Sequence, residues 1–132
     1  MSRIALITGA TSGIGKATAE AFANVGIDLI LCGRRQDRLD ELSTAMAKYV
    51  KTTTLLFDVR DYQTVSQTIG SLPDEWKAID ILVNNAGNAH GLSPIESADL
   101  DDWDAMIDIN VKGLLYVSRA IIPGTSWWTM MR

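Results

Sequence analysis

Short apolar runs alternate along the chain with segments in which apolar residues recur every three or four positions. This alternation predicts strands and helices in turn, which is typical of βαβ units that build a parallel sheet. The predicted strands lie at 3–8, 27–32, 53–57 and 79–83. The predicted helices lie at 15–25, 38–48, 61–70 and 99–122, and a loop rich in glycine, asparagine and proline occupies 84–97. The expected fold class is therefore α/β.

The apolar positions of each predicted helix indicate the face that it buries. We expect Ala21, Phe22 and Val25 to form this face in the first helix, which Gly26 ends. The corresponding positions of the later helices are Leu39, Leu42 and Met46, then Val65 and Ile69, then Trp103, Met106, Ile107, Leu114 and Val117. Pro123 and Gly124 are expected to end the last helix.

A glycine-rich turn, Thr-Gly-Ala-Thr-Ser-Gly-Ile-Gly at 8–15, joins the first strand to the first helix. We expect Gly9 to permit a sharp turn, Gly13 to leave room for a pyrophosphate, and Gly15 to let the helix pack closely. The first N–H groups of the helix then point at anionic oxygens. The turn therefore predicts a nucleotide site, with a spacing that differs from the commoner Gly-x-Gly-x-x-Gly fingerprint.

A pair of arginines, Arg34 and Arg35, follows the second predicted strand. A cofactor whose ribose 2′-hydroxyl is free calls for Asp or Glu here, roughly 20 residues beyond the turn. Guanidinium groups instead match a phosphate, so the pair predicts NADP(H). The alternative is a solvated basic start of a helix.

The ends of the third and fourth strands carry further polar residues. Asp58 is suited to accept a hydrogen bond from an adenine amino group, with Val59 as an apolar wall beside it. The alternative is that Asp58 is simply an acidic residue at the start of a helix. Asn-Asn-Ala-Gly at 84–87 supplies two amides that can tie the turn to neighbouring backbone and bind a ribose. Ala86 and Gly87 keep the floor open for rings. An ordinary turn is the alternative for this segment.

These segments together resemble the short-chain dehydrogenase/reductase family, in order and in spacing. The likeness is carried by the turn at 8–15, Asp58-Val59, Asn-Asn-Ala-Gly at 84–87 and Asn-Val-x-Gly at 110–113. Further segments at 33–39, 71–76, 79–83 and 102–108 resemble the NADP-dependent branch that oxidises 3-hydroxy acids such as serine and allo-threonine and reduces malonic semialdehyde. The resemblance implies a Rossmann-type doubly wound parallel sheet, cut off after its fourth strand and the following helix.

The resemblance also implies roles for individual residues. The phosphates would be held by Gly9, Ser12, Gly13, Ile14 and Gly15, the 2′-phosphate by Arg34 and Arg35, the adenine by Asp58 and Val59, and the nicotinamide-side ribose by Asn85. Asn110 matches the catalytic asparagine that orders a water in the family's proton relay. An amide in mid-helix between Ile109 and Val111 is also expected to be buried enough to need partners, and a plain buried asparagine is the alternative.

The chain departs from the family where proton transfer is concerned. The family's serine, and its tyrosine and lysine separated by three residues, are missing from the sequence. Tyr116 is followed four positions later by Ala120, and Tyr62 by Ser66, so neither tyrosine has the lysine. Hydride transfer then lacks a matched general acid, and the chain by itself is expected to be inactive.

The likeness covers 1–124, the expected NADP-binding domain, and stops at an aberrant tail, 125–132. Read one base earlier, the codons of 127–131 encode a polar turn, which suggests a frame-shifted remnant of a chain about twice as long; chance similarity is the alternative. We expect the fourth strand to be an exposed edge and the half-domain to aggregate or to need a partner.

Composition narrows the partners and the compartment. The chain has 132 residues and a net charge of −4, and it lacks a basic run, which argues against a nucleic acid partner. Cys32 is its single cysteine, so no internal disulfide forms and a cytoplasmic location is expected. No apolar stretch reaches the roughly 20 residues of a membrane span. We expect no metal site, a solvent-facing His90, and a homo-oligomer in the full-length form, because the last helix resembles the family's pairing surface.

Three functions compete at this point. The first is an NADP-dependent oxidoreductase for a small 3-hydroxy acid or its carbonyl form, represented by its cofactor half. The second is a non-catalytic NADP-binding module. The third is another glycine-rich α/β domain, such as one for S-adenosylmethionine, which the arginine pair and the segment at 84–87 disfavour.

Overall fold

The computed structural model describes residues 2–88, 91 and 93–122 and the backbone of 130–131. Its five strands are β1 (Ile4–Ile7), β2 (Asp28–Gly33), β3 (Thr52–Leu56), β4 (Ile81–Val83) and β5 (Met130–Met131). They form one parallel sheet in the order β3-β2-β1-β4-β5. This confirms the doubly wound parallel sheet. The predictions for His90, for the helix end at Pro123 and Gly124, and for 125–129 fall outside the described residues.

The helices are α1 (Gly13–Asn24), α2 (Gln36–Met46), α3 (Tyr62–Gly70), α4 (Leu100–Ile107) and α5 (Gly113–Ile121), and single 3-10 turns lie at Asp74–Trp76 and Ile95–Ser97. Both α1 and α2 begin two residues before their predicted starts. The start of α3 is fixed by Asp61, whose carboxylate accepts the Thr64 backbone N–H at 3.2 Å. A side-chain oxygen at this position satisfies an N–H that the helix cannot.

The central strand β1 is buried on both faces, which explains its unbroken apolar run. Because side chains alternate along a strand, Ile4 and Leu6 join the core beneath α3 and α5, whereas Ala5 and Ile7 join the core beneath α1 and α2. The predicted buried faces of α2 and α3 are confirmed. The glycine-rich turn thus projects from the most protected strand of the sheet.

The buried face of α1 differs from the prediction. Gly15, Ala19 and Ala23 are buried, while Ala21 and Val25 are exposed. Residues four apart lie above one another on a helix, so these three small residues form one stripe against the sheet. Small side chains at the contact permit close approach, and apolar character alone did not identify them.

The last predicted helix is interrupted. A π-helical turn, Asp108–Lys112, separates α4 from α5. Such a turn shifts the phase of the residues that follow it. Val117 is buried as expected, but Trp103 and Ile107 are exposed, which corrects the prediction that one face packs along the whole length.

The prediction that β4 forms an exposed edge of the sheet is wrong for two of its residues. Leu82 pairs with Met130 and Val83 with Met131 in parallel register, so β5 covers part of this edge. The backbone of 130–131 satisfies ladder positions that were expected to face solvent.

Candidate functional site

A buried threonine joins the glycine-rich turn to the loop after β4. Thr8 is 2% exposed, and its hydroxyl oxygen accepts the backbone N–H groups of Asn85 and Ala86, each at 3.0 Å. The Asn85 side-chain amide donates in turn to the Gly9 carbonyl at 3.1 Å. These bonds hold together two segments that lie 77 positions apart in the chain. The sequence-based prediction that an amide ties this turn to neighbouring backbone is confirmed for Asn85.

The glycines of the turn are required for different reasons. Gly9 has a φ of 61°, and a Cβ there would lie 3.1 Å from the Ala86 backbone. Gly13 has a φ of 56° but open space around a hypothetical Cβ, so its conformation alone favours glycine. A Cβ on Gly15 would overlap the Gly9 carbonyl oxygen and lie 2.5 Å from Asn85 Nδ2. The predicted close packing at Gly15 is therefore present.

Removal of the Thr8 hydroxyl is expected to destabilise the protein. In Thr8→Val the Ala86 N–H loses its acceptor inside the protein, and we expect a loss of about 1–3 kcal/mol in the free energy of unfolding. Thr8→Ser keeps the hydroxyl and is the matched control, with a loss below about 1 kcal/mol. Urea unfolding followed by circular dichroism measures both. Equal stability of the two variants would contradict a role for the hydroxyl.

A cavity of about 220 Å³ opens at the carboxyl ends of the strands. Nine of the predicted site residues line it: Gly9, Ser12, Arg34, Arg35, Asp58, Val59, Asn85, Ala86 and Gly87. Gly13, Ile14 and Gly15 do not line it; they begin α1, and the Ile14 side chain is 76% exposed. Ser12 precedes this helix without capping it through its side chain. The site falls between β1 and β4, where the chain order of the sheet reverses, as expected for a doubly wound fold.

Three guanidinium groups line the same cavity. Arg34 and Arg35 lie between β2 and α2, and Arg38 follows in the first turn of the helix. Within the described part of the chain, none of the three belongs to an ion pair. Arg38 was not predicted as a site residue; it lies three positions after Arg35, the N-cap of α2, and the structure places it at the same cavity. Three cationic side chains at one cavity favour an anionic ligand here.

Asp58 lines the same cavity and is held by the neighbouring Arg60. The Arg60 side chain donates to both carboxylate oxygens, with Nη2 to Oδ2 at 2.6 Å, and its backbone N–H adds a bond of 3.0 Å to Oδ1. These side-chain hydrogen bonds from Arg60 hold the pKa of Asp58 below its ordinary value. The carboxylate is therefore an ionised acceptor at neutral pH.

Asn110 lies in the π-helical turn and is exposed, which corrects the expectation of burial. The prediction that Asn110 needs hydrogen-bond partners is confirmed. Its side-chain amide pairs with the backbone of Asn88: Oδ1 accepts the N–H at 3.0 Å and Nδ2 donates to the carbonyl at 2.9 Å. A Cβ on Gly87 would lie 2.8 Å from Asn110 Oδ1. Asn110 thus fixes the loop whose residues Gly87 and Asn88 line the cavity. The π-turn that presents it left no signal in the sequence pattern.

Two other side chains complete the surroundings. Asn84 donates to Ser118 Oγ at 3.1 Å, which ties the loop after β4 to α5. Cys32 is a free cysteine, 1% exposed, at the wall of the cavity. Burial raises the pKa of its thiol, so it stays protonated and serves as packing, as the apolar run around it predicts.

Residues 3–126 match the sequence pattern of the family described as short chain dehydrogenase. This match covers nearly the whole chain. The chain belongs to the short-chain dehydrogenase family. Membership disagrees with the third hypothesis, an S-adenosylmethionine domain. It also accounts for the cavity at the carboxyl ends of the strands, next to a glycine-rich turn.

Two curated proteins are similar in sequence to this short-chain dehydrogenase chain. It is 48% identical over 123 residues to sulfoacetaldehyde reductase 2 of Chromohalobacter salexigens, covering 93% of this chain and 49% of the relative. It is 46% identical over 121 residues to the NADP-dependent 3-hydroxy acid dehydrogenase of Salmonella typhi, covering 92% and 48%. The chain therefore spans about half the length of the curated relatives that it matches.

Solved structures agree with this likeness. Serine dehydrogenase from Escherichia coli superposes with a TM-score of 0.84 at 45% identity, covering 92% of this chain and 55% of that one. A closed form of serine dehydrogenase complexed with NADP+ gives the same score and identity, covering 92% and 48%. Among the helices that the structure describes, none has the length and apolarity needed to cross a bilayer.

Proposed function

We propose that this short-chain dehydrogenase chain binds NADP(H) in the cavity between β1 and β4. The observation that carries the proposal is a group of three arginines at the end of β2, Arg34, Arg35 and Arg38, none of which forms an ion pair with another residue that the structure describes. A free ribose 2′-hydroxyl would call for a carboxylate at that place, whereas a 2′-phosphate matches guanidinium groups. The relative from Salmonella typhi, named as NADP-dependent, supports the same cofactor.

The residues present fit this cofactor. The backbone at Gly9 and Ser12 and the start of α1 at Gly13, Ile14 and Gly15 would receive the pyrophosphate, because the first N–H groups of a helix attract anions. Arg34 and Arg35 would hold the 2′-phosphate, Asp58 and Val59 the adenine, and Asn85, Ala86 and Gly87 the nicotinamide side. When bound, the cofactor supplies the hydride. A Cβ at Gly15 would fill the cradle, so the turn is built for close approach.

For the whole protein we propose NADP-dependent interconversion of a small 3-hydroxy acid and its carbonyl form in the cytoplasm. Support comes from the names of two relatives, a 3-hydroxy acid dehydrogenase and a sulfoacetaldehyde reductase. The 132-residue chain holds Asn110 but not the family's serine, tyrosine and lysine, so by itself it would bind cofactor without turnover. The buried free thiol of Cys32 is consistent with a reducing compartment.

Fluorescence titration of the 132-residue chain with NADPH, NADH and S-adenosylmethionine tests the cofactor. We expect NADPH to bind at least about tenfold more tightly than NADH, because only NADPH carries the 2′-phosphate. Binding of S-adenosylmethionine without NADPH would refute the proposal. In a chain extended through the family's serine, tyrosine and lysine, turnover of serine or a related 3-hydroxy acid supports the enzyme. Intact NADPH binding without turnover there supports the non-catalytic module instead.

We also propose that the full-length protein forms a homo-oligomer through α4 and α5. Leu100, Trp103, Ile107, Val111 and Leu115 are exposed and recur every three or four positions along these helices. Large apolar side chains that stay exposed at this spacing favour a protein interface. Sedimentation velocity of the full-length protein should show an assembly that Leu115→Asp dissociates. A monomer that is unchanged by this substitution would contradict the proposal.

A further inference from the structure

We propose that Arg60 is a latch on the cofactor site: it occupies the Asp58 carboxylate, and the amino group of adenine has to displace part of this contact in order to bind. The inference rests on the proposed NADP(H) site, in which Asp58 accepts the adenine amino group. Arg60 does not line the cofactor cavity. It would lower the affinity for the cofactor as an internal competitor.

The Asp58 carboxylate is fully occupied by this one neighbour. Its Oδ1 accepts the backbone N–H and Nε of Arg60, each at 3.0 Å, and its Oδ2 accepts Nε at 3.1 Å and Nη2 at 2.6 Å. A carboxylate offers about four acceptor positions, two on each oxygen. All of them are taken, so a further N–H donor has to replace one of these hydrogen bonds.

The Arg60 side chain can withdraw, whereas the backbone beside it cannot. Val59 is 8% exposed and belongs to the core, and a Cβ on Gly113 would lie 2.6 Å from Val59 Cγ2, so α5 packs directly against this segment. The Arg60 side chain is 42% exposed and lines an open surface depression. Asp58 lines both this depression and the cofactor cavity. The guanidinium can therefore leave the carboxylate without a rearrangement of the fold.

The energetics of the pair suit a latch. Hydrogen bonds between two charged groups are stronger than a bond from the neutral amino group of adenine, so the contact forms when no cofactor is bound. An ion pair between partly exposed groups is nevertheless weak, because water solvates both partners once they separate. Opening the latch therefore costs the cofactor only a modest part of its affinity.

Arg60→Lys tests the latch without a change of charge. The ammonium keeps the attraction for the phosphates, but it lacks the planar fork and leaves acceptor positions of Asp58 free. We expect the variant to bind NADPH and NADH about two- to fivefold more tightly, by the same factor for each, because the two cofactors share the adenine. Fluorescence titration measures both constants. Unchanged or weaker binding of both cofactors would overturn the proposal.

Two further variants show where a gain comes from. Arg119→Lys is the matched control, because Arg119 stacks on the Tyr62 ring at 5.4 Å and does not line the cofactor cavity. We expect it to change neither constant by more than about twofold. In an Asp58→Asn background, Arg60→Lys should give no gain. A gain of the original size in that background would show that Arg60 does not act through the carboxylate.

Hydrogen exchange at the Arg60 Nε–H, followed by nuclear magnetic resonance, reports the latch directly. Arg60→Lys lacks this signal and so assigns it. We expect slow exchange in the free chain, where both carboxylate oxygens accept this N–H, and exchange that is several times faster at saturating NADPH. Protection that stays unchanged at saturation would mean that the contact never opens, and would overturn the proposal.

Failure of the latch and failure of the proposed cofactor site have different signatures. An unaltered chain that does not bind NADPH would contradict the proposed site itself. NADPH binding by the unaltered chain, together with unchanged Arg60 protection and no gain in Arg60→Lys, would contradict the latch alone.

Discussion

Alanine in place of Gly15 is expected to destabilise the protein by about 3 kcal/mol and to abolish NADPH binding at micromolar concentrations. The added Cβ would overlap the Gly9 carbonyl oxygen and lie 2.5 Å from Asn85 Nδ2. Neither neighbour moves easily, because the Gly9 oxygen belongs to the backbone and the Asn85 side-chain amide donates a hydrogen bond to that oxygen at 3.1 Å. Relief therefore requires α1 to move away from the turn, which disrupts the proposed phosphate-binding site.

Urea unfolding and NADPH fluorescence titration measure the two effects. Gly70→Ala is the matched control, because Gly70 ends α3 with nothing within 4 Å of a hypothetical Cβ. That variant should gain about 0.4–1 kcal/mol through a less flexible unfolded chain and bind NADPH unchanged. If Gly15→Ala matched Gly70→Ala in both measurements, the close packing of α1 on the turn would not be required.

The second large effect concerns cofactor choice. Arg34→Asp should weaken NADPH relative to NADH by about 1–3 kcal/mol, because it removes a guanidinium and places a carboxylate where the 2′-phosphate is proposed to bind. The same carboxylate suits a free 2′-hydroxyl, so NADH binding should hold or improve. The preference is measured as the ratio of the two dissociation constants.

Lys48→Asp makes the same change of charge at an exposed position that does not line the cavity. We expect it to leave the ratio of dissociation constants within about twofold, because solvent and salt screen distant surface charges. An Arg34→Asp ratio equal to that of Lys48→Asp would remove Arg34 from the proposed 2′-phosphate site.

Much of the fold follows from local sequence. The order of strands and helices, the turn at 8–15 and the buried faces of α2 and α3 were predictable, because apolar periodicity and glycine spacing act over a few neighbouring residues. The family resemblance rests on the same short segments. The nine predicted residues that line the cavity include both arginines, since polar residues at the ends of parallel strands meet at one edge of the sheet.

The errors share a different origin. The pattern assigned Ala21 and Val25 to the buried face of α1. The small residues Gly15, Ala19 and Ala23 occupy that face instead, because α1 lies too close to the sheet for larger side chains there. The π-helical turn at Asp108–Lys112 exposes Asn110 and has no marker in apolar spacing. Partial cover of the β4 edge came from 130–131, a distant part of the chain.

The sequence by itself determined the α/β class, the parallel sheet, the glycine-rich turn and the pair of arginines, because each depends on residue types within one short segment. Only the tertiary structure decided which groups meet: Thr8 with the loop after β4, Asn110 with the backbone of Asn88, and Arg38 with the arginine pair at one cavity. Hydrogen bonds and close contacts depend on distances set by packing of the whole chain, and residues far apart in sequence carry no local sign of them.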